Sequence, residues 1–339
     1  MPWKIPGWHA QPHCRHWDGM RGERSSPARS QSCVVRCPHT RHGWLGRIDL
    51  PPSVEAAGEP SNFGQTHRSS FWARRPCLPS VRTIAPVVEK RWETPSTVTL
   101  RFDYAPAARP GQFLMIWLPG DDEVPMSLSY TSERRKGVTV KAMGETSRHL
   151  LQLEPGALVG LRGPYGNTFD LSPRRLLVVA GGSGGAVVAP GAEEVRRKGG
   201  SVTVALGATT AKELLFRERF SAMADGGLEI ATDDGTAGHR GYVTDVAARL
   251  LKERSFDAVW TCGPEVMMVK LVRSAGEAEV PIFCSVEREM KCGIAMCDAC
   301  AFGPYHVCSD GPVFSGERLR DIPDFGQFKR DASGRRVRA

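Results

Sequence analysis

Four cysteines near the C-terminus constrain this chain more than any other feature. Cys292, Cys297, Cys300 and Cys308 lie in the run KCGIAMCDACAFGPYHVC, spaced C-x4-C-x2-C-x7-C. Three thiols close together, with a fourth returning after a short loop, have to be gathered around one centre. Soft sulfur donors select zinc or an iron–sulfur cluster. Structural zinc commonly takes two C-x2-C knuckles, and the motif contains only one. The x4 spacing, with a glycine after the first cysteine, suits a 2Fe–2S cluster, whose fourth cysteine is set apart. Such a cluster carries one electron at a time, so another part of the chain has to supply or accept electrons.

Composition narrows the remaining classes. A chain of 339 residues can bury one large core or two to three smaller ones. The net charge of +8 is concentrated at one end: residues 1–80 hold 11 Lys/Arg against 5 Asp/Glu, which leaves little bias over the rest. That is too weak to argue for nucleic acid as a partner of the main body. No stretch of 18 apolar residues occurs, so no membrane span is expected. No charged-then-apolar leader is evident. Cysteines outside the motif are scattered, which argues against a disulfide framework and for a reducing, cytoplasmic setting.

The chain divides into unlike parts. Residues 1–80 show neither helical nor strand periodicity, and read as a disordered leader or as upstream sequence translated from a wrong start. The sharper alternative is a small metal or nucleic-acid module on Cys14, Cys33, Cys37 and Cys77, but no companion pair follows Cys33-x3-Cys37 at finger spacing. Residues 81–172 read as short strands (TVTLRFDY, GQFLMIWLP, GVTVKAMG) separated by Pro–Gly and Gly–Asp turns, which predicts a small antiparallel barrel. Residues 173–283 alternate apolar strands with helical stretches, the pattern of a mostly parallel sheet covered on both faces. Residues 284–325 hold the cysteine motif, and 326–339 are a basic tail expected to fray.

Candidate sites fall at the element ends. Gly181, Gly182 and Gly184, with Gly185, close the first strand of the α/β region; missing side chains there let a dinucleotide phosphate reach backbone N–H groups. A purely structural turn is the alternative, and Pro190-Gly191 is read as interrupting the helix that follows. Thr261, Cys262, Gly263 and Pro264 end a later strand on the same sheet edge, where open α/β sheets bind ligands. In the barrel, Pro125, Met126, Ser127, Leu128, Ser129 and Tyr130 place hydroxyls and backbone along a strand. Gly144, Glu145, Thr146 and Ser147 open a short helix; Thr146 and Ser147 are read as its caps, with N–H groups offered to a phosphate. Gly163, Tyr165 and Gly166 lie in a GPYG turn. Asp233 and Asp234 follow a strand as loop residues. No hydrolytic triad, H-E-x-x-H motif or catalytic carboxylate pair is present, so no catalytic side chain is assigned.

Taken in order, these motifs resemble the ferredoxin–NADP⁺ reductase superfamily over about residues 81–325. Within it they look most like the iron–sulfur flavoprotein electron-transfer subunits of NAD-dependent dihydroorotate dehydrogenase. The resemblance implies a flavin-binding β-barrel, then a parallel-sheet nicotinamide domain, then a small C-terminal 2Fe–2S domain. PMSLSY at 125–130 matches the segment lining the flavin of FAD, with Val124 where the family's arginine stands. GETS at 144–147 matches the pyrophosphate turn, and GPYG at 163–166 the closure of the barrel side. AGGSGG at 180–185 matches the nicotinamide-domain turn, more often G-I-G-x-A-P. TCGP at 261–264 matches the segment near the nicotinamide, and Cys292, Cys297, Cys300 and Cys308 match the cluster ligands. DDGTAGHRGYVTD at 233–245 favours the dihydroorotate type over the gamma-type subunits of cytoplasmic hydrogenases and the flavin subunit of anaerobic sulfite reductase.

What the resemblance implies is an enzyme subunit needing a catalytic partner, the two forming a heterotetramer. Electrons from dihydroorotate would pass through the cluster and FAD to NAD⁺. Thr209, Thr210 and Lys212 keep NADP open as the nicotinamide. A stand-alone NAD(P)H reductase of a small carrier is the remaining alternative.

Overall fold

The computed structural model describes residues 81–338. The leader and the module considered for Cys14, Cys33, Cys37 and Cys77 lie outside the described residues.

Six strands and one helix come first: β1 (Thr83–Thr94), β2 (Thr97–Asp103), β3 (Phe113–Trp117), β4 (Val124–Tyr130), β5 (Arg135–Lys141), α1 (Glu145–Gln152) and β6 (Leu158–Tyr165). The strands close a barrel in the order β1-β2-β5-β4-β3-β6, every pair antiparallel. Alternation builds it: Val98, Leu100 and Phe102 of β2 face inward, against Leu114 and Ile116 of β3 and Val138 and Val140 of β5, all at most 1% exposed. Period-two patterning of this kind leaves one face apolar and one wet. β1 serves two neighbours, pairing β6 through Thr83–Pro86 and β2 from Val87 onward, with a register shift between Val87 and Glu89. The irregularity sits where the strand must bend to close the barrel.

Lys136 is the exception inside this wall. Its side chain, on β5, is fully buried, and Nζ donates to the carbonyl oxygens of Tyr104 (3.2 Å), Ser132 (2.7 Å) and Glu133 (2.9 Å). A buried ammonium is tolerated only when its donors are used. Here two of the bonds hold the turn between β4 and β5, and the third ties it to Tyr104 just beyond β2.

The second layer system comprises β7 (Arg175–Gly181), α2 (Gly185–Arg197), β8 (Ser201–Ala208), α3 (Arg217–Met223), β9 (Leu228–Thr232), β10 (His239–Arg240), α4 (Val243–Glu253), β11 (Ala258–Cys262), α5 (Glu265–Glu277) and β12 (Ile282–Ser285). Beyond the cysteine loop follow β13 (Ala301–Phe302), β14 (Tyr305–His306), α6 (Val307–Asp310), β15 (Val313–Ser315) and α7 (Gly316–Arg320). The sheet order is β10-β9-β8-β7-β11-β12-β15. All neighbours are parallel except β15, which runs antiparallel to β12. The cysteine segment therefore supplies the last strand of the sheet. The chain moves from β7 to β8 on one side and later returns to β11 on the other, so the direction of winding reverses between β7 and β11.

Two features differ from the sequence reading. Pro190 and Gly191 do not interrupt the helix but lie inside α2, where every residue from Gly185 to Ala192 is buried. Proline forfeits one helical N–H bond, and tertiary packing overrides the loss. A Cβ on Gly191 would lie 2.8 Å from the Trp260 ring and 3.3 Å from Pro110 of the barrel, so the glycine admits the helix to both. The basic tail, instead of fraying, forms a hairpin of β16 (Phe328–Arg330) and β17 (Arg336–Arg338). Arg336 lies 3.7 Å over the Phe328 ring and pairs with Asp324 at 2.7 Å.

Lys136→Met should lower stability by roughly 1–3 kcal/mol, the cost of leaving buried carbonyls without donors, read as a lower urea midpoint at unchanged slope. An unchanged midpoint would show that the loop does not depend on the ammonium.

Candidate functional site

The four thiols sit on a loop wound by unusual backbone. Gly293, Ala295 and Asp298 have φ of +73°, +59° and +60°. This winding turns successive N–H groups onto sulfur. Ile294 and Met296 donate to Cys292 Sγ at 3.4 and 3.2 Å, and Ala295 donates to Cys308 Sγ at 3.0 Å. Burial opposes ionisation of Cys292, but bonds from these amides and from Cys297 lower its pKa. Cys300 is brought down to about 6, chiefly by its bond with Cys308, while that same bond pushes the Cys308 thiol up. The side chains thus associate as two pairs, Cys292 with Cys297 and Cys300 with Cys308. Among the described residues no group of three or more His, Cys, Asp or Glu converges on a single-ion site. Four cysteines on one loop, with backbone N–H groups turned onto the sulfurs of Cys292 and Cys308, are the donor set that a binuclear cluster takes. Cys300 and Cys308 are buried and Cys297 is exposed.

The loop is fastened to the barrel. A Cβ on Gly293 would lie 3.0 Å from Met115 Cγ and 3.3 Å from the Tyr165 ring, so the loop lies directly on β3 and β6. Both Nη atoms of Arg162, on β6, donate to the Cys292 carbonyl at 3.2 Å. Arg162 also bonds both carboxylate oxygens of Glu123, its Nε at 2.9 Å. Burial tends to raise the Glu123 pKa, but the Arg162 bonds outweigh it and hold the carboxyl below its ordinary range. At the far end, Asn167 Nδ2 donates to the carbonyls of Asp310 (2.9 Å) and Val313 (2.8 Å), and its Oδ1 accepts from Val313 N–H. Arg288 pairs bidentately with Glu265 at 2.7 and 3.0 Å, lies 4.3 Å over Phe302, and is 8% exposed. Buried pairs of this kind stand only when every charge is matched, and here Gly326 N–H adds a third bond to Glu265.

The GPYG turn serves this fastening. Tyr104 Oη donates to the Gly163 carbonyl at 2.6 Å, and Gln112 to that of Gly166 at 3.1 Å. Gly166, at φ +81°, leaves no room for a Cβ beside Pro312, 2.6 Å away. Tyr165 is 2% exposed and belongs to the core shared with Cys300, Phe302 and Cys308.

On β4, adjacent to β3, Pro125, Met126 and Ser127 are half-buried, while Leu128 and Ser129 are buried. Ser129 accepts a hydrogen bond from Thr139 at 2.8 Å. Leu128 packs in the barrel core, and both residues already use backbone groups within the fold, Leu128 N–H on the Gln112 carbonyl (2.9 Å) and the Ser129 carbonyl on Arg219 (3.0 Å). Gly144, not Thr146 or Ser147, is the N-cap of α1; Ser147 is at N3, accepting from the N–H groups of Met143 and Gly144 at 2.8 Å. Ser147 thus completes the cap from inside the helix. Thr146 is buried, Glu145 lies in the acidic first turn, and a Cβ on Gly144 would meet nothing within 4 Å. No side chain at the N-cap accepts from the first-turn N–H groups, which fits a phosphate there.

At the reversal between β7 and β11 the backbones nearly touch. A Cβ on Gly184 would fall on the Cys262 carbonyl and 2.7 Å from Gly263 N, and one on Gly181 2.6 Å from Met267 Sδ. Gly263 has φ +154°. Gly182 faces open space. The two glycine-bearing segments thus form one rim, the crevice where open α/β sheets bind dinucleotides. Pro264 caps α5. Cys262 is fully buried, and burial drives its thiol well above the ordinary value, so it remains a neutral thiol. Thr261 Oγ1 and Thr244 Oγ1 are buried without a hydrogen-bond partner, polar atoms that such sites leave for a ligand or water.

Sequence reasoning missed Arg162, Glu123, Arg288, Glu265 and Asn167. The signal for Arg162 was a lone charge in the strand LVGLRGPY; the others carry no local pattern.

Comparison with known proteins joins these pieces. Residues 287–320 match the family described as "Iron-sulfur cluster binding domain of dihydroorotate dehydrogenase B". A probable electron-transfer subunit of dihydroorotate dehydrogenase B (NAD(+)) from Methanocaldococcus jannaschii is 41% identical over 76% of this chain and 98% of its own length. The chain belongs to this family. A second such subunit, from Thermoplasma volcanium, is 42% identical over 73% of this chain and 94% of its own. Among solved structures, a chain of an NADH-dependent reduced ferredoxin–NADP oxidoreductase superposes with a TM-score of 0.63 at 31% identity, covering 69% of this chain and 89% of that one. For a member of this family the barrel, sheet and cysteine loop described above are the expected parts. Among the described residues no helix is long and apolar enough to cross a membrane.

Gly184→Ala should cost roughly 1–3 kcal/mol by forcing apart two packed backbones, whereas Gly144→Ala, opening onto free space, should stay within about 1 kcal/mol. Thermal unfolding of both variants checks the contrast, and equal losses would refute it. The Glu123 carboxyl gives a sign for pH: its folded pKa is lowered, so its contribution is complete above the ordinary carboxylate range and disappears as pH falls through the lowered value. Acid titration of stability should therefore show a low-pH limb that Glu123→Gln makes shallower, the other lowered carboxyls such as Glu213 and Asp257 keeping their share.

Proposed function

We propose that this chain is the electron-transfer subunit of a dihydroorotate dehydrogenase, working with a catalytic partner subunit in a heterotetramer and delivering electrons to NAD⁺ in pyrimidine biosynthesis. FAD, when bound, converts between hydride and single electrons, and a 2Fe–2S cluster carries one electron at a time. The chain's own residues bind and align. Pro125, Met126 and Ser127 would line the flavin, with Leu128 and Ser129 holding the strand in place behind them. Gly144, Glu145, Thr146 and Ser147 would place the start of α1 at the diphosphate. Gly181, Gly182, Gly184 and Thr261–Pro264 would hold the nicotinamide at the sheet edge. Cys292, Cys297, Cys300 and Cys308 would hold the cluster, and Gly163, Tyr165 and Gly166 keep its loop against the barrel. No side chain is required as a general base. NAD is favoured over NADP by the relatives' names, and a cytoplasmic setting by the free thiols.

The observation carrying this reading is adjacency. The loop bearing Cys292 lies on Met115 and Tyr165, and β3, which carries Met115, pairs with β4 at Pro125. Cluster and flavin would then lie on neighbouring parts of one wall. A second reading, a subunit of a nicotinamide–ferredoxin enzyme, is favoured by the 31% identical solved chain.

Co-expression with a dihydroorotate dehydrogenase catalytic subunit tests the choice. The expected result is a complex with flavin and cluster absorbance that forms NADH from dihydroorotate, with neither subunit active alone. Reduction of ferredoxin without any dihydroorotate-dependent NADH would favour the second reading. Cys297→Ser should abolish cluster bands while leaving flavin bound; retention of a full cluster would remove Cys297 from the ligand set.

A further inference from the structure

We infer that Arg162, held by Glu123, is the positioning residue that locks the cysteine loop onto the flavin-bearing side of the barrel and biases the charge felt by the cluster. The inference rests on reading Cys292–Cys308 as a 2Fe–2S loop. Arg162 touches both sides of this junction. Its two Nη atoms reach the carbonyl of Cys292, the first proposed ligand, at 3.2 Å. Nε and Nη2 meet the carboxylate of Glu123, the residue immediately before β4. Nη1 also reaches the Tyr165 hydroxyl at 3.3 Å. The two side chains are 14% and 13% exposed, so water does not compete freely for these bonds.

A planar guanidinium offers donors in a fixed fork. One edge bound to Glu123 and another to the Cys292 carbonyl therefore fix the angle between β4 and the loop, as well as the distance. Lysine, a point charge on a flexible stem, would keep the charge without that angle. Charge follows the same geometry. Reduction adds an electron to the cluster, so a nearby cation favours the reduced form and a nearby anion the oxidised one, and such surroundings tune cluster potentials. Arg162 meets the Cys292 carbonyl directly, while Glu123, which Arg82 also reaches at 3.5 Å, offsets part of its charge from behind. Removing one partner exposes the other, and the two removals act in opposite directions.

The test uses the full chain co-purified with its catalytic partner and measures iron and acid-labile sulfide content, the cluster's EPR g-values and its midpoint potential. Arg162→Met should shift the potential downward and Glu123→Gln upward. Arg162→Lys should restore the potential towards wild type while leaving altered g-values, because charge returns without the fork. Shifts of one sign in both variants, or unchanged potentials and g-values in clusters that remain loaded, would overturn the inference. Should Arg162→Met not fold, Glu123→Gln and Arg162→Lys still decide it. A wild-type complex without labile sulfide would instead overturn the cluster reading beneath it, an outcome separable from failure of the variants.

Discussion

The cysteine loop has no core of its own, and the rest of the arrangement follows from that constraint. Between β12 and β15 the only sheet is the two-residue pairing of β13 with β14. A segment this short cannot bury enough apolar surface to stand alone. Its apolar residues, Met290, Phe302 and Val307, pack instead into a core continuous with Phe113, Met115 and Tyr165 of the barrel and with α4 and α5 of the sheet. β15 then extends the sheet beyond β12. Barrel, sheet and loop consequently form one compact unit, and the position of the cysteine loop is set by what it borrows from both neighbours. The buried Arg288–Glu265 pair belongs to the same logic, since Glu265 opens α5 directly after the Thr261–Pro264 rim.

The opposite flank shows how the barrel is held to the sheet. Arg219 of α3 donates to the Ser129 carbonyl at 3.0 Å, pairs with Glu193 of α2, and lies 4.2 Å over the Tyr130 ring, which Arg101 also meets at 4.0 Å. Glu213 accepts from Ser96 and Lys141 of the barrel at 2.7 and 3.1 Å. Polar ties on this side and the shared core on the other set the relation between β4 and the glycine rim. A planar cofactor between them needs such a fixed gap, because orientation of the reacting groups is most of what the protein contributes.

The fold was legible because its signals are periodic. Alternation in TVTLRFDY and strand–helix alternation after residue 173 report burial residue by residue. The thiols and the glycine rim were legible for a different reason: each is a short motif whose residue types have few other uses. Junctions between parts leave no such trace. Arg162, Asn167 and Arg288 act on partners 130, 146 and 23 residues away, and no local spacing encodes those meetings. Pro190 misled for the same reason. Its local cost is visible in the sequence, whereas the packing of α2 against Trp260 and Pro110 that offsets it is not.

Val124 connects these themes. Where the resemblance implies an arginine, this chain has an apolar residue packed on the barrel core. Two cations stand at this end of β4: Arg82, stacked 4.5 Å over Trp117 and 3.5 Å from Glu123, and Arg162. Glu123 engages both, and Arg162 is turned towards the Cys292 carbonyl instead of into the space above β4. On the proposed reading, a flavin diphosphate then depends on the N-terminus of α1, where unpaired amides amount to about half a positive charge. The start of β4 instead holds, through Glu123, the Arg162 guanidinium of β6 that bonds the cysteine loop. On that reading, the strand end that would grip one cofactor steadies instead the loop that would hold the other.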